Sequence, residues 1–207
     1  MLSVIDLEEV RQVLPSKFLF IRHAESSWNA RGLWQGQCDP GLSEKGFSEL
    51  PVLWEQTQRQ FGEIEWIFSS DLKRALWTAH FLVEKSNARL WSSKHFRERH
   101  AGDWSGKSKA EFSENHRNLM LSIQRGSWLI KPPNGENRLD VMKRVAAGLL
   151  KGGEKARENI TFALVSHLGV LRTLIPGAEL ENAHAGWVRI CQDRSNLTEL
   201  FSWEPFR

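Results

Sequence analysis

Lys17-Phe18-Leu19-Phe20-Ile21-Arg22-His23-Ala24-Glu25-Ser26 decides the architecture: an almost continuously apolar run of strand length that ends abruptly in polar and small residues. A parallel strand covered by helices above and below has no solvent side on which to alternate, so it reads as such a run. Comparable runs recur at Ile64-Glu65-Trp66-Ile67-Phe68, Arg89-Leu90-Trp91 and Thr161-Phe162-Ala163-Leu164-Val165, with two further candidates from Trp187 to Cys191 and from Leu197 to Trp203. Helical patterns lie between them. Ser43-Glu44-Lys45-Gly46 opens a helix expected to continue toward Gln60, with Pro51 as a kink or break. Asp71 reads as the N-cap of a helix that places Leu72, Ala75, Leu76, Ala79 and Leu82 at helical spacing. From Gly106 to Gly153 the helical periodicity comes in pieces, broken at Gly126 and at Lys131-Pro132-Pro133-Asn134-Gly135, and a helical insertion near 106–153 is expected. Strands alternating with helices predict an α/β fold, a three-layer sandwich with a mainly parallel central sheet and helices on both faces. No repeat, low-complexity tract or linker divides residues 1–207, so one domain is expected.

Composition narrows the function. A chain of 207 residues can bury a sizeable core. With 41% hydrophobic and 26% charged residues it reads neither as disordered nor as a membrane protein. No apolar run approaches the roughly 20 residues of a spanning helix. Met1 to Glu9 has acids among its apolar residues and no basic n-region, so no secretory signal is expected. Cys38 and Cys191 lie far apart without zinc-knuckle or redox spacing, and are read as free thiols in a reducing, cytoplasmic setting. Asn159-Ile160-Thr161 and Asn196-Leu197-Thr198 match the glycosylation sequon but fall in strand-like stretches, and are read as coincidences. The net charge of +3 comes from scattered basic residues, which gives nucleic-acid binding little support. The chain has ten Trp and no Tyr; Trp66, Trp91 and Trp187 sit in apolar runs and read as core, whereas Trp28 and Trp34 flank the candidate site.

In a parallel sheet, ligands bind beyond the carboxyl ends of the strands. The first strand ends in Arg22-His23, and the fourth in Ser166-His167-Leu168-Gly169. The second leads into Ser69-Ser70-Asp71-Leu72-Lys73-Arg74, and the third into Phe96-Arg97-Glu98-Arg99. Each residue alone has an ordinary reading: Arg74 as a solvated helix residue, Glu98 as one half of a surface ion pair. Together they describe one rim with two histidines, several arginines and a glutamate. Forked guanidinium donors match phosphate oxygens, and a neutral imidazole nitrogen can attack phosphorus. Arginines beside His23 would keep it unprotonated near neutrality. His167, if protonated, could donate to a non-bridging oxygen, and Glu98 could protonate the leaving oxygen and later deprotonate water. No His-x-His, His-Glu-x-x-His or carboxylate cluster offers a metal site, and Gly152-Gly153-Glu154 is not a Walker loop. Neither metal nor cofactor is expected.

The segment Arg22-His23-Ala24-Glu25-Ser26-Ser27-Trp28-Asn29 resembles, with one change, the Arg-His-Gly-Glu signature of the histidine phosphatase (phosphoglycerate mutase-like) superfamily. The resemblance continues through Gln35-Gly36-Gln37 to Gly46, Ser69 to Ala75 with Thr78-Ala79, Arg97-Glu98 and Ser166-His167. It implies His23 as phosphorylated nucleophile, Arg22, Arg74 and His167 as the rest of the phosphate pocket, and Glu98 as proton donor. It also implies Asn29, Gln35 and Gly36 as contacts to the phosphoryl group or substrate. Ala24 and Leu168 stand where the family commonly has glycine; the added carbon could narrow the pocket, although the Leu168 N–H remains available to phosphate.

The family contains mutases and phosphatases. Arg99-His100-Ala101-Gly102-Asp103-Trp104-Ser105-Gly106 is similar to the phosphatase pattern Gly-x-Trp-x-Gly, while the mutase Tyr-Gly and later paired arginines are missing. The expected activity is therefore hydrolysis of a small phosphomonoester, with mutase-type transfer as the alternative and a non-catalytic phosphate-binding protein as a third reading.

Overall fold

A computed structural model describes residues 14–124, 130–156, 161–191 and 200–206. Six strands form one sheet: β1 (Lys17–Arg22), β2 (Trp66–Ser70), β3 (Arg89–Ser93), β4 (Phe162–Ser166), β5 (Ala185–Ile190) and β6 (Phe201–Pro205). Their spatial order is β3-β2-β4-β1-β5-β6. The pairs β1–β4, β2–β4 and β2–β3 are parallel, while β5 runs antiparallel to both β1 and β6. The helices are α1 (Ser27–Ala30), α2 (Glu44–Thr57), α3 (Lys73–Lys85), α4 (Lys109–Asn115), α5 (Arg117–Gln124), α6 (Arg138–Ala156) and α7 (Leu168–Leu174).

The apolar run of β1 is divided between two cores by the two-residue strand period. Phe18 and Phe20 enter one cluster with Phe162 and Leu164 of β4, closed by Val141, Met142, Val145 and Leu149 of α6 and Val170, Leu171 and Leu174 of α7. Leu19 and Ile21 enter the other with Ala163 and Val165, closed by Leu50 and Leu53 of α2 and Ala75, Ala79 and Leu82 of α3. Helices thus cover both faces of the sheet, the three-layer arrangement expected from sequence. Phe18, Leu19, Phe20 and Ile21 are all fully buried, each side chain contributing about 1.5–3 kcal/mol of transfer free energy.

Two local expectations change. Helix α2 runs through Pro51 without a break. The carbonyl that loses its partner there is that of Phe47, and both Phe47 and Pro51 face solvent, where water can replace the missing N–H. Asp71 does not cap α3: the N-cap is Leu72, without a side-chain bond. The Asp71 carboxylate instead takes a bidentate pair from Arg97, at 2.6 and 2.7 Å. The first N–H of α3, on Lys73, donates to Asp39 Oδ1 from a distant loop, at 2.6 Å. Capping by Asp39 could not be read from local sequence. Gly126, the N-terminal nine residues, Asn159-Ile160 and Asn196-Leu197-Thr198 lie outside the described residues, as does the start of the last predicted strand.

Candidate active site

Adjacent parallel strands β1 and β4 place the two histidines side by side. Arg22 is in register with Ser166, and the His23 N–H donates to the Ser166 carbonyl at 3.1 Å. Their rings, one residue beyond, lie with centroids 5.0 Å apart, and both residues are buried. His23 Nδ1 is 2.7 Å from the Ala24 carbonyl oxygen. A carbonyl only accepts, so Nδ1 carries the proton and Nε2 keeps its lone pair. Burial, then the charges of Arg74 and Arg22, hold the ring well below the ordinary histidine pKa. His167 is pushed in the same direction by burial, Arg74 and His23. The structure therefore favours a neutral His167 over the imidazolium considered from sequence. Its Nε2 lies 2.8 Å from Ser70 Oγ, which also accepts the Leu72 N–H. With the Ser70 hydroxyl donating to Nε2, a neutral ring still presents Nδ1–H as a donor.

Around this pair, a cavity of about 260 Å³ is lined by Arg22, His23, Asn29, Gln35, Gly36, Arg74, Glu98 and Leu168. Every site residue expected from sequence borders this cavity except His167, whose ring adjoins that of His23. Arg74 is 1% exposed, with Nη1 donating to the Cys38 carbonyl and Nη2 to that of Gly36, both at 2.9 Å. Burial lowers its pKa to about 10, so it remains charged at neutrality. Gly36 is required here: its φ of +52° is in the left-handed region, and a side chain would run into Ala101. Arg22 Nη1 donates to Leu180 O at 2.6 Å. Four buried side-chain nitrogens have no partner among the described residues: Arg22 Nε, Arg74 Nε, His167 Nδ1 and Trp34 Nε1. Buried donors are rarely left unsatisfied, and three of these belong to the residues surrounding His23. Asn29 Oδ1 accepts from the Ser26 backbone and Asn182, while Gln35 Oε1 lies 2.7 Å from Ser26 Oγ. Both amides thus present their NH₂ ends as additional donors.

Glu98 is the only carboxylate among the described residues lining the cavity. Oε1 accepts the Arg99 N–H at 2.7 Å and Oε2 the Gly169 N–H at 3.1 Å. A Cβ at Gly169 would overlap this carboxylate, so the glycine beside Leu168 is the one that the site requires. Ala24 does not narrow the pocket: its methyl is buried in the apolar cluster beneath α3, and its N–H donates to Thr78 Oγ1. Leu168, in contrast, does line the cavity.

Sequence reading did not assign Arg99, Lys109, Arg138 or Arg172 to the site, although all four line the cavity. Lys109 reaches it because 32–34 and 106–109 pair as a small ribbon, with Leu33 opposite Ser108 and the Lys109 N–H on the Gly32 carbonyl. Arg138 begins α6 and donates twice to the Thr173 carbonyl of α7. These placements depend on tertiary contacts without a local signature. Among the described residues, no group of three or more potential ligands is arranged to hold a metal ion, and no helix is long and apolar enough to cross a membrane.

Comparison with known proteins places these features in context. A family model described as histidine phosphatase superfamily (branch 1) matches residues 18–202. The chain is 35% identical over 130 residues to a 2,3-bisphosphoglycerate-dependent phosphoglycerate mutase of Bartonella henselae, covering 61% of this chain and 63% of that protein. It is 32% identical over 158 residues to phosphoserine phosphatase 1 of Hydrogenobacter thermophilus, covering 76% and 74% respectively. A solved mycobacterial glucosyl-3-phosphoglycerate phosphatase, complexed with VO3, superposes with a TM-score of 0.72 at 27% identity, over 92% of this chain and 97% of that one. The match therefore spans less than two thirds of the mutase's length.

Proposed function

The chain belongs to the histidine phosphatase superfamily, and from that premise we propose that it hydrolyses small phosphomonoesters through a phosphohistidine at His23. The observation that carries this reading is the His23 tautomer. With Nδ1–H committed to the Ala24 carbonyl, an unprotonated Nε2 borders a cavity where Arg22 and Arg74 each keep a buried donor. In the first step Nε2 forms a bond to phosphorus as the ester P–O bond breaks, and Glu98 gives its proton to the departing oxygen. In the second, Glu98 takes a proton from water, the water oxygen bonds to phosphorus and the N–P bond breaks, releasing phosphate. Arg22, Arg74 and the Nδ1–H of His167 stabilise the charge on the non-bridging oxygens, with the Asn29 and Gln35 amides, the Gly36 turn and the Leu168 N–H completing the contacts. No metal or cofactor has a part in this scheme, and a cytoplasmic location fits its two free thiols.

Mutase-type transfer is the second reading. It is favoured by the phosphoglycerate mutase relative and by the additional cations Arg99 and Lys109 that line the cavity. Hydrolysis is favoured by the phosphatase-like turn: Ala101, in place of a phenol, lines the cavity, and Trp104 packs under it against Trp34 and Phe112. Rapid quench with a labelled phosphomonoester separates the readings. The expected outcome is an acid-labile, base-stable phosphoenzyme whose label passes to water even in excess 3-phosphoglycerate. Efficient transfer to that acceptor establishes the mutase, and absence of any phosphoenzyme overturns both.

A further inference from the structure

Glu98 is held by two backbone N–H groups, so its position depends on the course of the main chain around it. That main chain is pinned carbonyl by carbonyl. Arg144, in the second turn of α6, donates through Nη1 to His95 O at 2.9 Å and Arg97 O at 2.7 Å, and through Nη2 to Glu98 O at 3.0 Å. Ser166, at the end of β4, donates to the intervening Phe96 carbonyl at 2.8 Å. The remaining Arg144 donors form a bidentate pair with Glu136, Nε to Oε1 at 2.9 Å and Nη2 to Oε2 at 2.8 Å. Glu136 Oε2 also accepts the His100 N–H at 2.8 Å. All five N–H groups of one guanidinium are therefore used, and the chain is gripped on both sides of Glu98. A lysine has three donors and no planar fork, so it cannot reproduce this arrangement. Burial raises the Glu136 pKa, but the Arg144 hydrogen bonds and charge outweigh it and hold the carboxylate below its ordinary range.

We propose that Arg144, clamped by Glu136, is the positioning residue that sets Glu98 at the leaving-group oxygen. Arg144 does not line the cavity and reaches Glu98 through the 95–98 backbone. The inference rests on Glu98 being the proton donor. A general acid matters most when the leaving group is a strong base, and small displacements of a catalytic group are costly. Loss of Arg144 should therefore look like loss of Glu98, and not like loss of the phosphate pocket.

The experiment measures phosphoenzyme formation by burst kinetics with ethyl phosphate and p-nitrophenyl phosphate, together with inhibition by inorganic phosphate. Arg144→Lys is expected to slow ethyl phosphate about 100-fold and p-nitrophenyl phosphate less than about threefold, with phosphate inhibition held within about threefold. In a Glu98→Gln background the same change should cost less than about threefold with either substrate, since the group it positions can no longer donate. Glu136→Gln keeps the side-chain shape but weakens the clamp; it carries the same pattern at about tenfold, and serves if Arg144→Lys does not fold. Equal slowing of both substrates, or a full additional loss in the Glu98→Gln background, overturns the positioning role. If Glu98→Gln alone shows no leaving-group selectivity, the proton-donor reading itself fails; selectivity there without selectivity in Arg144→Lys sinks only the inference.

Discussion

The two ends of the cavity are built on different principles. At the phosphoryl end, His23 and His167 follow directly from the last residues of two adjacent central strands, and Arg74 stands in the first turn of a helix packed on the same sheet. Nothing but strand register is needed to bring the histidines together. At the leaving-group end, Glu98 lies on an irregular segment beyond edge strand β3, and side chains from α6 and β4 hold its backbone. One end is held through the core; the other is held through largely part-buried polar contacts. This contrast separates changes that should abolish phosphoryl transfer from those that should make it selective for easy leaving groups.

The largest expected effect tests the core-built end. His23→Ala removes the proposed nucleophile while leaving the arginines able to bind phosphate, and should lower turnover by about 10⁶ together with loss of the trapped phosphoenzyme. Label that persists in the variant, or maps to another residue, breaks the assignment.

Next comes His167. His167→Ala should slow phosphoenzyme formation by about 10²–10³ without removing the labelled atom. His167→Asn sharpens the test, because its amide can stand in for Nδ1–H but can carry no positive charge. If the neutral ring acts through Nδ1–H, the Asn variant should recover about tenfold over Ala; an Asn variant no better than Ala would show that the charge is needed.

Gly169→Ala probes the other end. The added methyl would displace the Glu98 carboxylate, so alkyl phosphates should slow by about 10² while p-nitrophenyl phosphate changes little. A uniform loss with both substrates would place the damage in the phosphate pocket and erase the distinction between the ends.

The same contrast explains what could be read from sequence. The strands and both histidines were legible because hydrophobic run length and strand ends are local properties, and Arg74 was legible because its helix follows β2 directly. Asp71 was misread as a cap because Arg97, its partner, comes from another strand end. Arg144 carried no signal: it looks like any basic residue on an amphipathic helix until α6 is packed beside residues 95–98. Leu168 drew attention for the glycine it replaces, whereas the close approach occurs one residue later, at Gly169. A backbone contact across 71 residues leaves no mark on local pattern.

The smallest effect concerns stability, and it again distinguishes the ends. His23 and His167 are buried with pKa values driven well below the ordinary 6.5, by burial first and then by Arg74. The unfolded chain therefore binds protons that the folded chain refuses as pH falls below about 6.5. Folding stability contributed by neutral burial is complete above that value, and declines as the pH drops toward the folded-state values, by at most about 1.4 kcal/mol per histidine per pH unit. The Glu136 carboxylate, also depressed, adds an acid-sensitive contribution of the same sign, but lost only below its ordinary 4.5. Urea midpoints measured from pH 7.5 down to 5.5 therefore read these two histidines, together with a contribution of the same sign from His95, whose pKa burial also lowers. Wild type should lose stability across this interval, and His167→Asn, which has nothing to titrate there, should show a shallower decline even if it starts lower. A slope unchanged in His167→Asn would mean that His167 accepts a proton in the folded state; a wild-type midpoint that stays flat from 7.5 to 5.5 would mean that His23 does so as well. In that second case the neutral tautomer of His23, and with it the nucleophile's resting state, would have to be reassigned.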